Sequence, residues 1–90
     1  MSLKLFRTKI FLKDYRKLSM SDQHYAKYVE YVSLLLKEQT LPPEALDHSL
    51  KGDYKNYREF HISGNLLIIY IIEDGYLKLV RIGTHAQLFE

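Results

Sequence analysis

The chain has 90 residues, 47% hydrophobic and 27% charged, and a formal net charge of +2, which together describe one small domain spanning residues 1–90. The absence of cysteine excludes disulfides and cysteine-based zinc or iron–sulfur sites. No apolar run reaches the roughly 18 residues that span a membrane, and the N-terminus lacks the apolar stretch of a signal peptide, so we expect a cytoplasmic protein with no membrane partner.

The first half of the chain is typical of a short strand followed by a helical hairpin. Residues 4–7 can form the strand, and Thr8 is a suitable N-cap for a helix over residues 9–18. Ser21 can cap a second helix from Asp22 to about Glu38, which the two prolines that follow would end. The apolar residues that recur at helical spacing are Phe11, Tyr15 and Leu18 in the first helix, and Tyr25, Tyr28, Val29, Val32, Leu35 and Leu36 in the second.

The second half alternates as strands do, after a loop that runs through Asp47-His48. Residues 66–72 are apolar on both faces, as in a central strand, and Asp74-Gly75 predicts a hairpin that returns through residues 76–82. Residues 85–89 can form a helical turn or an edge strand. We predict an α+β fold in which the helical hairpin packs on one face of a small antiparallel β-sheet, so that the other face can carry a site. The strand over residues 57–63 would place Tyr57, Glu59 and His61 on one face and Arg58, Phe60 and Ile62 on the other.

Three of the four histidines lie in this second half, at His48, His61 and His85. Imidazole can give or take a proton near neutral pH. With Arg81 to clamp a phosphate, these side chains could supply the acid, the base and the cation that break a phosphodiester without a metal. The side chains that could stack on bases are Tyr54, Tyr57 and Phe89.

Each of these residues also has a structural interpretation. Asp47-His48 can be a pair that stabilises the loop, and Arg58 followed by Glu59 can be a cross-strand salt-bridge element, which contributes little at a surface. Gly83 can permit a positive φ angle after the last strand. From composition and spacing, a ribonuclease is therefore one option among several.

A zinc site and a purely structural C-terminus are further alternatives. The intervals between His48, His61 and His85 are 13 and 24 residues, which match no compact zinc-ligand motif. Leu88 and Phe89 can close the core instead of contacting a ligand. We expect no metal and no cofactor.

The charge is uneven along the chain, because residues 1–46 carry eight Lys and Arg against five Asp and Glu. Such a basic excess can follow a phosphate backbone, although a solvated helix face is the simpler interpretation. The excess is densest at Arg7, Lys9, Lys13, Arg16 and Lys17.

Three ordered motifs occupy the second half. They are Asp47-His48-x-Leu50-x-Gly52-x-Tyr54-Lys55-x-Tyr57-Arg58-Glu59-x-His61-Ile62, then Asn65-Leu66-Leu67-Ile68-Ile69-Tyr70, then Arg81-x-Gly83-Thr84-His85-x-x-Leu88-Phe89. Together they resemble the YafQ branch of the RelE/ParE toxin superfamily. The helical hairpin and the Leu41-Pro42-Pro43 connector agree in place and length, so the resemblance covers essentially the whole chain.

The resemblance implies a bacterial type II toxin that acts as a ribosome-dependent mRNA endoribonuclease. Such toxins enter the ribosomal A site and cut the message by metal-independent acid–base chemistry. They leave a 2′,3′-cyclic phosphate or 3′-phosphate and a 5′-hydroxyl. A cognate RelB/DinJ-like antitoxin inhibits the toxin, and operator DNA is contacted only through that antitoxin. The alternatives are a non-catalytic or gyrase-directed toxin of the same fold and a plain RNA-binding module.

Carried over position by position, the resemblance implies a catalytic set of His48, His61, Arg81, His85 and Phe89. His85 and either His48 or His61 would transfer protons, Arg81 would hold the phosphate, and Phe89 would stack on or position a base. The expected substrate or ribosomal RNA contacts are Tyr57, Asn65, Lys9, Lys13, Arg16 and Lys17.

One departure from the family pattern concerns Asn65 and Leu66, which stand where many members carry an acid followed by tryptophan. Asparagine can form hydrogen bonds but cannot act as a general base, so we assign no proton transfer to Asn65. Loss of the tryptophan would alter codon preference.

Overall fold

The computed structural model describes residues 2–89, in which two capped helices begin where the sequence predicts. Helix α1 spans Lys9–Arg16 and helix α2 spans Asp22–Leu36, and the side chains of Thr8 and Ser21 cap them by accepting backbone N–H groups. Both helices end two residues before the predicted limit. At the end of α2, Glu38 adopts a left-handed conformation with φ 59°, which stops helical hydrogen bonding.

The buried face of α2 is rotated relative to the predicted apolar stripe. Tyr25 and Val29, both in that stripe, are 48% and 49% exposed. Tyr31 was not predicted to be buried, yet it is only 3% exposed because its ring packs edge-on against Phe60 with 5.9 Å between centroids. The remaining buried residues of α2 are Tyr28, Val32 and Leu35.

Five strands form one sheet in the order β1-β5-β4-β3-β2. Strands β3, β4 and β5 are antiparallel neighbours, as predicted, and β2 pairs antiparallel with β3, whereas β1 adds an unpredicted parallel pairing with β5 at the edge. Strand β2 lies within the segment that the sequence predicted to be a loop. The bounds are Lys4–Arg7 for β1, His48–Ser49 for β2, Arg58–Ser63 for β3, Leu66–Glu73 for β4 and Tyr76–Gly83 for β5.

The two faces of the sheet are covered by different elements. Helices α1 and α2 bury one face and form the main apolar core with residues of β3, β4 and β5. Helix α3, at His85–Phe89, is the helical one of the two predicted options. It places Leu88 against Leu67 and Ile69 on the opposite face, so that face is partly covered. None of the helices within residues 2–89 is long and apolar enough to cross a lipid bilayer.

Gly83 lies close to side chains of α3, and the prediction of a positive φ angle at this glycine was wrong. A Cβ atom at Gly83 would lie 2.8 Å from the Gln87 side-chain oxygen and 3.4 Å from a methyl of Leu88. That oxygen also accepts the backbone N–H of Thr84 at 2.8 Å, which ties the residue before α3 to its first turn. The glycine therefore leaves room for the Gln87 side chain above the end of β5.

Candidate active site

The register of the antiparallel strands brings the predicted site residues to one face of the sheet. Residues directly opposite each other on paired strands point to the same face, as do residues two apart along a strand. The face opposite α1 and α2 therefore carries two parallel rows of cross-strand neighbours. The rows are His48, Glu59, Ile69 and Arg81, and beside them His61, Leu67 and Gly83.

A buried carboxylate bridges two of the predicted catalytic histidines. Glu59 is 5% exposed, and its Oε1 lies 2.9 Å from Nε2 of His48 and 3.5 Å from Nε2 of His61. The opposite nitrogen of His48, Nδ1, lies 2.6 Å from the Leu46 carbonyl oxygen. Both ring nitrogens of His48 thus face acceptors, an arrangement that a doubly protonated imidazolium satisfies. The carboxylate of Glu59 therefore joins the two histidines into one polar group on this face of the sheet.

The same group contains two buried polar atoms without a hydrogen-bond partner among the described residues, Glu59 Oε2 and His61 Nδ1. Leaving a polar atom in this state costs about 1–3 kcal/mol, so such atoms are rare in folded proteins. A buried carboxylate with one unpartnered oxygen is a feature expected of a reaction site and not of a stabilising ion pair.

Glu59 was missed as a site residue. It does form the cross-strand pair that one interpretation of Arg58-Glu59 expected, with His48 of β2, but its carboxylate is buried and not at a surface. Arg58 instead donates from Nε to Oδ1 of Asp47 at 3.1 Å. The predicted alternation already placed Glu59 on the histidine face of the strand, and a carboxylate two residues before His61 was the available signal.

Asp47 does not pair with its neighbour His48, which corrects the interpretation of these two residues as a loop-stabilising pair. Asp47 Oδ1 accepts the Tyr70 hydroxyl at 2.6 Å as well as Arg58 Nε. Burial raises the pKa of Tyr70, and its bond to Asp47 raises that pKa further. Because Asp47 and Arg58 each precede a member of the His48–Glu59 pair along the chain, this cluster holds the ends of β2 and β3 that carry the pair.

Arg81, the predicted phosphate clamp, is held by a carboxylate from α1. Its Nε donates to Oδ2 of Asp14 at 2.8 Å and its Nη2 donates to Oδ1 at 3.0 Å. The bond to Asp14 raises the pKa of Arg81, and Tyr54 contributes in the same direction. Burial alone would raise the pKa of Asp14, but the bonds from Arg81 and from the Ile82 N–H hold that pKa below its ordinary value. Asp14 is 67 residues from its partner, and no local pattern marked it.

The remaining catalytic candidates, His85 and Phe89, belong to an aromatic group with Tyr54 and Tyr57. The ring of His85 lies 4.8 Å from that of Phe89, which in turn lies 5.6 Å from Tyr54 in an edge-on contact. Tyr54 also meets Tyr57 edge-on at 6.1 Å. Phe89, Tyr54 and Tyr57 pack against the apolar cluster formed by Leu67, Ile69 and Leu88. The position of Phe89 is therefore compatible with closing this small core and with contacting a nucleobase.

The predicted RNA contacts occupy the surface around these groups. Asn65 is exposed in the turn between β3 and β4, where its backbone N–H faces Ser63 Oγ at 3.4 Å. A groove of about 240 Å³ between α1, β5 and α3 connects Lys17 to Arg81 and Gln87. The basic side chains of α1 and the residue after it, Lys9, Lys13, Arg16 and Lys17, are all exposed.

No group of three or more His, Asp or Glu side chains within residues 2–89 is arranged to hold a metal ion.

Comparison with known proteins agrees with this architecture over nearly the whole chain. Residues 3–90 match the family described as the bacterial toxin of the type II toxin–antitoxin system, YafQ. The mRNA interferase toxin YafQ of Escherichia coli K12 is 37% identical over 75 residues, covering 81% of this chain and 82% of the relative.

Solved structures extend the match to the fold. A copper-bound mutant toxin from Helicobacter pylori superposes with a TM-score of 0.89 at 38% identity, covering 97% of this chain and 99% of the other. A chain of the E. coli DinJ–YafQ complex superposes with a TM-score of 0.83 at 30% identity, covering 98% and 99%. The chain belongs to the YafQ family of bacterial type II toxins.

Proposed function

We propose that this toxin is a ribosome-dependent mRNA endoribonuclease, and that all of its catalytic residues lie in the one domain formed by residues 1–90. The observation that carries the proposal is the group of His48, Glu59 and His61, in which a buried carboxylate contacts two imidazoles on the same sheet face as Arg81. The E. coli relative, an mRNA interferase toxin by name, supports the same reaction class.

The proposed reaction needs no metal. A base removes the proton of the 2′-hydroxyl, and the resulting oxygen attacks the neighbouring phosphorus to form a 2′,3′-cyclic phosphate. The bond to the 5′-oxygen breaks, and an acid donates a proton to that oxygen, which leaves as a 5′-hydroxyl. Hydrolysis of the cyclic product gives the 3′-phosphate.

For the two proton transfers, we propose one histidine from the group of His48, Glu59 and His61 and one from the aromatic group around His85. Because both nitrogens of His48 face acceptors, we assign it the acid role, with Glu59 stabilising the imidazolium and His61 completing the group. His85, exposed at the first position of α3, is then the base. Arg81 stabilises charge on the phosphate, and Phe89 positions an RNA nucleobase against the aromatic group.

The surroundings of these groups provide the substrate contacts. Tyr57 and Asn65 border the histidine face, one in the aromatic group and the other in an exposed turn. Ribosomal RNA is the partner we propose for the basic side chains of the first helix, because exposed Lys and Arg at helical spacing can follow a phosphate backbone. Those side chains are Lys9, Lys13, Arg16 and Lys17.

An antitoxin of the RelB/DinJ kind is the proposed inhibitor, since YafQ of E. coli is found in complex with DinJ. We propose that operator DNA is contacted only through that antitoxin, and that the toxin acts in the cytoplasm, where ribosomes and their message are located. Adding the cognate antitoxin in equimolar amount should abolish cleavage.

The test is a bacterial translation reaction in which message ends are mapped by primer extension. The parent chain should cut within codons only when ribosomes are present, and His85→Ala should lose that cleavage. His24→Ala is the matched control, because His24 lies in α2 outside the site and should leave the rate unchanged. If the message stays intact while translation stops, the toxin acts by occlusion or on another target, and the endoribonuclease proposal is wrong.

A further inference from the structure

Asp14 is a largely buried acidic residue in a basic helix. Helix α1 and the residue after it are basic, yet this one carboxylate turns inward and is 13% exposed. It accepts three hydrogen bonds, two from the Arg81 guanidinium and one from the Ile82 N–H at 3.3 Å. Because both oxygens of Asp14 accept hydrogen bonds, the carboxylate holds the Arg81 side chain in a defined orientation.

The region of β5 that carries Arg81 departs from regular strand geometry. The pairing of β4 with β5 shifts between Ile69 and Tyr70, opposite this part of β5. In a regular strand, residues on one face are two positions apart, but the core-facing residues Leu79 and Ile82 are three apart. Such a bulge re-aims a side chain at the cost of regular pairing. Arg81 therefore needs a tertiary contact to define its direction, and Asp14 supplies one.

The geometry of the pair leaves part of the guanidinium available to a ligand. Arginine carries five N–H donors, and Asp14 engages one on Nε and one on Nη2. Both hydrogens of Nη1 and one of Nη2 are not used by Asp14, and the Tyr54 side chain also interacts with this guanidinium. These donors form the edge that can approach an anion in the groove lined by Lys17, Arg81 and Gln87.

We propose that Asp14 is a positioning residue that orients Arg81 so that its outer edge meets the scissile phosphate. This inference rests on the proposed function, in which Arg81 contacts that phosphate. Asp14 lowers the positive charge of the groove, so it does not increase the attraction of the phosphate. Its contribution is to orient the Arg81 side chain. A fixed donor stabilises developing charge better than a mobile one, because no reorganisation is needed at the moment of reaction.

The test is a double-mutant cycle on programmed ribosomes, with Asp14→Asn made in the parent and in an Arg81→Ala background. The rate constant at saturating toxin should fall about 10- to 100-fold in the parent, with little change in the concentration needed for half-saturation. In the Arg81→Ala background the same substitution should cause no further loss, or a gain, because it removes an unpaired carboxylate. Glu73→Gln, which breaks the exposed 2.8 Å pair with Lys78, is the matched control and should leave the rate unchanged.

Two results would overturn the inference. A parental rate for Asp14→Asn would show that Arg81 does not need Asp14 for its orientation, and a faster rate would show that the carboxylate inhibits Arg81. An equal loss in both backgrounds would show that Asp14 acts through the fold and not through Arg81.

A spectroscopic measurement on the parent chain tests the inference independently of cleavage and of variant folding. The Nε–H resonance of Arg81 should be protected from exchange, and it should remain so when a 2′-deoxy RNA analogue that cannot be cleaved is added, while the Nη1 signals shift. Loss of Nε–H protection on binding would contradict the positioning role. A parent that binds the analogue in this way but cuts no message would refute the proposed function alone.

Discussion

Replacing Glu59 with glutamine separates the contribution of this buried carboxylate to catalysis from its effect on stability. The substitution keeps the shape of the side chain and removes its charge. At present, Oε1 contacts His48 and His61 while Oε2 is buried without a partner among the described residues. The substitution weakens the contacts to the histidines, because hydrogen bonds to charged groups contribute about 1.5–3 kcal/mol and neutral ones about 0.5–1.5 kcal/mol. It also removes the cost of burying an ionised group, which is of the same order or larger, while the position of Oε2 stays polar and unpartnered in both proteins.

These two effects are similar in size and opposite in sign. We therefore expect Glu59→Gln to leave the free energy of unfolding within about 1 kcal/mol of the parent, a shift of no more than about 4–8 °C in Tm for a chain of this size. Cleavage should nevertheless fall by about 10²- to 10⁴-fold, the range of general acid–base catalysis, because the His48 imidazolium loses its counter-charge.

Urea unfolding followed by tyrosine fluorescence suits a chain with eight tyrosines and no tryptophan, and single-turnover cleavage on ribosomes gives the rate. Glu73→Gln serves as the control for loss of an exposed carboxylate, and we expect both quantities to stay at parental values. A parental cleavage rate in Glu59→Gln would refute the catalytic argument. Destabilisation by more than about 3 kcal/mol would refute the energetic one, because it would mean that the carboxylate stabilises the fold.

Three further predictions concern other parts of the molecule. Tyr70→Phe should lower the free energy of unfolding by about 1–2 kcal/mol at pH 7 by removing a buried hydrogen bond. Because the pKa of Tyr70 is raised in the folded chain, the difference from the parent should shrink as the pH rises past the ordinary tyrosine value of 10.0, and a constant difference in urea unfolding would contradict this. Gly83→Ala should cost about 1 kcal/mol in urea unfolding and slow cleavage several-fold, because the Gln87 side chain must move and give up its bond to the Thr84 N–H at the start of α3; unchanged cleavage would show that this bond is unimportant for activity. Lys13→Ala with Lys17→Ala should weaken ribosome binding and reduce its salt dependence, whereas Lys27→Ala should not; equal slopes for all three proteins in a salt titration would exclude a phosphate contact by α1.

The secondary structure was predictable where short-range signals set it. Thr8 and Ser21 cap the two helices in the structure, and Asp74-Gly75 makes the predicted turn between β4 and β5. The errors arose where distant contacts decide. The parallel pairing of β1 with β5 depends on a partner about seventy residues away, and the burial of Tyr31 depends on Phe60.

The sequence predicted the residue types of the candidate site but not the contacts between them. Family motifs identified His48, His61, Arg81 and His85, and strand alternation placed Glu59 beside His61. Nothing in the chain near Glu59 indicated that it would be buried or would bridge two imidazoles, because burial depends on what the rest of the sheet places around it.

By itself, the sequence determined the α+β class, the limits of most elements to within two residues and the family, and it supplied the histidines and Arg81 as candidates, because periodicity, caps, turns and motifs are local properties of a chain. The tertiary structure alone decided which of those side chains meet. Cross-strand register aligned His48 with Glu59, and packing of α1 on β5 joined Asp14 to Arg81 over 67 positions. Such partners are selected by the geometry of the whole sheet and its helices, which no short window of sequence contains.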